Sequence, residues 1–102
     1  MTSQLGLSDL QIADLRKIFS KYQGVEQVKV YGSRAKGNYT ERSDVDLVVF
    51  GDELTRHDVS AIKLDIDESD IPFLVDVSLY HDIKNYKLID HIDRVAVVIF
   101  TR

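Results

Sequence analysis

The sequence predicts an α/β (α+β) protein, a mixed β-sheet of about four strands with helices packed on it. Three observations predict it. Apolar residues recur at helical spacing in separate stretches: Leu15, Ile18, Phe19 and Tyr22; Leu54, Val59, Ile62 and Ile66; Tyr86, Ile89 and Ile92. Short runs rich in valine and isoleucine lie between and after these stretches, each of strand length. The resulting order is helix, strand, strand, helix, strand, helix, strand, which favours a sheet and helices in adjoining layers.

Ser8 and Gln11 have the spacing of a capping box, with Leu7 and Ile12 placed as a hydrophobic staple, so a first helix is expected from about Asp9 to Tyr22. Gly24 is expected to supply the left-handed residue that ends it. Val28 and Val30 alternate with polar neighbours up to Tyr31, which reads as a strand closed by a turn at Gly32-Ser33. Arg34 to Ser43 is polar and irregular. Asp44 to Phe50 reads as a second, central strand that closes at Gly51-Asp52. The second helical stripe should end near Ser69, because Pro72 disfavours helix at the residue before it. A third strand is expected over Phe73 to Ser78, a last helix around Tyr86 to Ile92, and a terminal strand over Val95 to Phe100.

At 102 residues and 44% hydrophobic, residues 1–102 read as a single domain with one modest core. The longest apolar run, Val95 to Phe100, is far short of the roughly 20 residues of a membrane-spanning helix. The start, Met-Thr-Ser-Gln-Leu-Gly, lacks the basic and apolar regions of a secretory signal, so a cytoplasmic protein is expected. With no cysteine, disulfides, iron–sulfur clusters and thiolate zinc sites are excluded. A net charge of -4 argues against a protein whose task is gripping nucleic acid, which draws on clustered Lys and Arg.

Carboxylates are the surplus resource. Asp44 and Asp46 stand two apart on an expected strand, which puts both on one face. Asp76 lies in the apolar run Phe-Leu-Val-Asp-Val-Ser, where a lone buried carboxylate would cost several kcal/mol unless a metal or basic partner relieved it. Taken singly, Asp44 reads as a turn residue and Asp46 as a solvent-facing one; together with Asp76 they read as a site for a hard cation such as Mg²⁺. Gly32-Ser33 and the following Arg34-Ala-Lys-Gly could form a helical turn whose amides face an anion. A P-loop is excluded, because Asn38-Tyr39 stands where its Lys and Ser/Thr belong.

Gly32-Ser33, ten intervening residues and Asp44-Val45-Asp46 resemble the Gly-Ser-x10-Asp-x-Asp signature of the DNA polymerase beta nucleotidyltransferase superfamily. The fuller runs, Gly-Ser-Arg-Ala-Lys-Gly and Ser43-Asp-Val-Asp-Leu47, are similar to its minimal nucleotidyltransferases, and Asp76 in Val-Asp-Val matches their third carboxylate. The resemblance covers essentially the whole chain. Lys36 stands where many relatives carry Arg, and Asn38-Tyr39 is bulkier than usual there, but neither departure removes a ligand.

What the resemblance implies is a polymerase-beta-like fold in which Asp44, Asp46 and Asp76 are catalytic and hold Mg²⁺, two ions in all, while Gly32 and Ser33 bind the triphosphate of ATP. Asp76 would also help to orient the attacking hydroxyl. It further implies transfer of AMP to a hydroxyl of a partner protein, as the antitoxin paired with a helical HEPN-class protein. Two other classes compete. One is a catalytically weak module that neutralises a helical partner by covering it, and the other is a transferase acting on a small molecule of the aminoglycoside type.

Several further signals are assigned no role. Arg34, Lys36 and Arg42 could add charge near the phosphates or simply be solvated. His57, His81 and His91 lack ligand spacing and read as surface histidines. Asp65 to Asp70 departs from a calcium loop by lacking glycine at the sixth position, and reads as a solvated helix end. Phe19, Tyr22, Phe73, Tyr86 and Phe100 are expected to pack in the core.

Overall fold

A computed structural model describes residues 5–102; the reading of the first residues as lacking a secretory signal falls in part on residues 1–4, outside the described residues. The elements are α1 (Asp9–Ser20), β1 (Gln27–Tyr31), a one-turn α2 (Ser33–Lys36), β2 (Val45–Phe50), α3 (Arg56–Asp67), β3 (Val75–Leu79), a 3-10 turn (Tyr80–Asp82), α4 (Tyr86–Val95) and β4 (Val97–Thr101). The strands form one sheet in the order β3-β2-β1-β4. β1 runs antiparallel to both β2 and β4, and β2 runs parallel to β3, so the sheet is mixed as expected.

Local signals set the helix starts. Ser8 Oγ accepts from the Gln11 amide at 3.1 Å and Gln11 Oε1 accepts from the Ser8 amide at 2.9 Å, which is the expected capping box. A second box, Thr55 with Asp58, starts α3, and Asn85 caps α4. The helix end differs from expectation. α1 stops at Ser20 with Lys21 in right-handed conformation, and Gly24 does not have a positive φ. The tight approach here falls on Gly51: a Cβ there would collide with the Gly24 carbonyl oxygen, whereas a Cβ on Gly24 would meet the Leu54 side chain at 3.2 Å.

The larger core lies between one sheet face and helices α1 and α3, and includes Leu15, Phe19, Val28, Val30, Leu47, Val49, Ile62, Ile66 and Val77. The opposite face carries a smaller cluster, Tyr31, Val48 and Ile92, under α4. β2 is central in the sheet, and its far half is buried on both faces because α1 and α3 cover one face and α4 the other, which is why Leu47, Val48 and Val49 follow one another. Tyr86 corrects one expectation: at 87% exposed it does not pack in the core, because it is the first residue of α4 and the helix buries itself through Ile92, in its later turns. Among the described residues no helix is long and apolar enough to cross a membrane.

Candidate active site

The register of the two parallel strands sets the centre of the site. Asp46 on β2 is the ladder partner of Asp76 on β3, so both carboxylates project from the α4 face of the sheet. On the other side of β2, Asp46 is opposite Tyr31, the last residue of β1. Asp44 precedes β2 and is exposed, at the end of the loop that follows α2.

These acids act on one another. Burial pushes the Asp46 carboxyl above the usual carboxylate value, the negative charges of Asp76 and Asp44 push it the same way, and His91 opposes them. The Tyr31 hydroxyl is raised as well, by burial first and then by Asp46 and Asp76, although a bond of 3.4 Å with Ser78 Oγ counters this. A half-buried Asp46 flanked by the exposed Asp44 and Asp76, with no cationic side chain bonded to them among the described residues, has the chemistry of a site for a hard cation.

Gly32 joins this patch to the turn after β1. Its φ of 79° and ψ of -153° lie in a region that residues with a Cβ scarcely enter. A Cβ there would collide with Asp46 Oδ2. The chain then turns into α2, which begins at Ser33 and closes at Gly37, whose amide donates to the Ser33 carbonyl at 3.0 Å. The Gly32 amide itself donates to His91 Nε2 on α4 at 2.9 Å, and the His91 ring meets Tyr31 edge to face with centroids 6.1 Å apart.

Arg34, inside α2, is only 1% exposed. Its guanidinium donates to the carbonyls of Leu5 at 3.0 Å, Gly6 at 3.4 Å and Ser43 at 2.9 and 3.2 Å. It also stacks between Tyr39 and Phe73, 5.2 and 4.4 Å from the ring centroids. One side chain thereby ties the segment before α1, the residue preceding Asp44 and the approach to β3.

Residues 13–102 match the family described as Polymerase beta, Nucleotidyltransferase. The chain belongs to that nucleotidyltransferase family. A Methanocaldococcus jannaschii protein named as a protein adenylyltransferase is 47% identical over 34 residues, a match that covers 32% of this chain and 34% of the relative. The chain thus spans about a third of the length of that curated relative in the match. A toxin–antitoxin crystal structure with AMP-PNP superposes with a TM-score of 0.73 at 14% identity, over 89% of this chain and 73% of the other. A variant of the toxin–antitoxin MntA-HpeT gives 0.72 at 11% over the same shares of each chain. A Sulfolobus solfataricus nucleotidyltransferase structure gives 0.58 at 20%, covering 91% and 78%. These likenesses establish the polymerase-beta nucleotidyltransferase fold.

Within this nucleotidyltransferase the structure brings Gly32, Asp46 and Asp76 together and leaves Asp44 on the approaching loop, close enough to raise Asp46. Among the described residues, no three His, Asp or Glu side chains close on one point by themselves. Asp76 corrects an expectation: it is exposed, because β3 is the edge of the sheet and only Val75, Val77 and Leu79 turn into the core. The burial cost inferred for it from its apolar neighbours therefore does not arise. Arg34 is a buried tether and contributes no free charge to a phosphate. His91 is no ordinary surface histidine, and its partner lies 59 residues away, beyond any spacing rule.

Proposed function

We propose that this nucleotidyltransferase moves AMP from ATP to a hydroxyl on a partner protein, in the cytoplasm, as the antitoxin of a pair whose other member is a helical HEPN-type protein. The observation that carries the reading is the ladder pairing of Asp46 with Asp76 directly beside Gly32. It sets two acidic side chains next to the turn that would hold a triphosphate. The toxin–antitoxin assemblies with the same fold, one of them with AMP-PNP, and the relative named as a protein adenylyltransferase support the choice of AMP and of a protein acceptor.

The donor set fits Mg²⁺. It consists of carboxylate oxygens, and the mutual repulsion that raises Asp46 is what a divalent cation relieves. Asp44, Asp46 and Asp76 would hold the metal, with the nucleotide's phosphates as further ligands, since the protein groups alone do not form a closed cage. Bound there, Mg²⁺ supplies charge neutralisation for the triphosphate and for the departing pyrophosphate. Gly32 and Ser33 present the turn to the phosphates. Asp76, exposed at the sheet edge, orients the acceptor hydroxyl and takes up its proton as the oxygen bonds to the α-phosphorus and the bond to pyrophosphate breaks.

Incubating labelled ATP, Mg²⁺ and the partner protein tests this. Label transfer that disappears when Asp44→Asn and Asp46→Asn are combined supports catalysis. No transfer, with inhibition of the partner surviving both substitutions, makes the chain a covering module; label moving instead to small hydroxyl compounds makes it a small-molecule transferase.

A further inference from the structure

The residue that no motif captures is His91. Its Nε2 is the acceptor for the Gly32 amide. The bond links α4, an element outside the Gly-Ser and Asp-x-Asp segments, to Gly32, whose backbone is in a conformation reserved for glycine. That residue in turn lies against Asp46 Oδ2, and the His91 ring is braced against Tyr31, the ladder partner of Asp46.

Turn, carboxylate and imidazole therefore form one connected unit. With its own amide held from α4, Gly32 cannot rotate to relieve its approach to Asp46 without breaking a part-buried hydrogen bond, whose loss is worth about 1 kcal/mol, or roughly fivefold in an equilibrium. We propose that His91 is a positioning residue that fixes the Gly32-Ser33 turn against Asp46 and so sets the affinity of the site for a nucleoside triphosphate. This rests on the reading of the site as one for nucleotide and metal, and adds a residue to it.

The variants His91→Phe and His91→Gln separate the ring from its acceptor. The first keeps an aromatic edge for Tyr31 and removes the nitrogen, while the second supplies a side-chain oxygen that can accept from the Gly32 amide. Followed by NMR without nucleotide, the Gly32 amide should shift and exchange faster with solvent in His91→Phe, and return toward its original state in His91→Gln. With MgATP, His91→Phe should bind on the order of fivefold to tenfold more weakly, its KM rising while kcat moves little, and His91→Gln should recover most of the loss.

A Gly32 amide unmoved in His91→Phe overturns the inference, as does MgATP affinity equal to that of the unaltered chain in the folded variant. Equal impairment of the Phe and Gln variants overturns it too. If the unaltered chain binds no nucleotide, the functional reading and the affinity claim fail together, while the amide shift still decides whether His91 sets the turn.

Discussion

Gly32 sits against the carboxylate of Asp46 so closely that no side-chain carbon fits between them, and its backbone is twisted into a region that only glycine enters readily. The turn after β1 and the acidic strand β2 are thus in contact.

Replacing that glycine should harm both stability and function. Gly32→Ala is expected to cost about 1–3 kcal/mol from backbone strain alone, with more from the collision with Asp46. Thermal unfolding measures the first effect, and MgATP titration of the folded fraction should show weaker binding. Wild-type affinity in Gly32→Ala would show that the turn has no part in holding nucleotide.

Asp46→Asn should separate activity from stability. The carboxyl of Asp46 is raised in the fold by burial and by Asp76 and Asp44, so its ionised form is disfavoured there relative to the unfolded chain. The sign follows: its contribution to stability is fully present below the ordinary carboxylate value and is lost as pH rises through the raised one. A neutral amide escapes that loss, so at neutral pH the variant should unfold no more easily than the parent. Nucleotidyl transfer should fall at least about a hundredfold. A marked loss of stability at neutral pH would contradict this account.

Arg34 predicts the opposite division. Arg34→Ala removes the donor that the carbonyls of Leu5, Gly6 and Ser43 share and empties the space beside Tyr39 and Phe73, a loss expected at roughly 2–4 kcal/mol. Arg34→Lys should recover little, because an ammonium cannot span three carbonyls in one plane. Denaturant unfolding of the two variants decides the matter, and near-equal stability of Arg34→Lys and the parent would refute it.

Tyr22 gives an alkaline signature. Its hydroxyl donates to Asp65 Oδ2 at 2.5 Å, and that bond, followed by burial and the charges of Asp65 and Asp58, pushes it from 10.0 up to about 12. The raised value favours the protonated phenol in the fold. Its stabilising contribution is therefore complete below pH 10.0 and disappears as pH climbs through about 12. Ultraviolet titration should find a tyrosine ionising at about pH 12, and Tyr22→Phe should remove that step and flatten the alkaline decline in stability, leaving the raised Tyr31 in place.

Much of this molecule is legible in its sequence, for identifiable reasons. The Ser8–Gln11 capping box and the alternation along β1 depend on neighbours a few positions away, and they appear as read. The Gly-Ser turn and Asp46 also announce themselves, since a fixed spacing brings them to adjacent strands. Asp76 shows where such reasoning fails: an apolar run predicts burial only if the strand is interior, and strand order is a tertiary property. Arg34 reads as a solvated loop charge because the carbonyls that surround it come from residues 5, 6 and 43. His91 is invisible for the same reason, its partner being a backbone amide on a distant turn. Gly24 reads as a helix-ending glycine but does not adopt the left-handed conformation; the glycine its turn requires is Gly51, whose Cβ would strike the Gly24 carbonyl, a contact between residues far apart in the chain.

The sheet ends at β3, and Asp76 projects from that outermost strand. Chemistry performed at a margin needs no cleft deep enough to swallow its second reactant. A bulky folded molecule can offer a side chain from the flank as readily as a free metabolite can diffuse in, so selectivity would have to come from how the visitor is held elsewhere on its own surface.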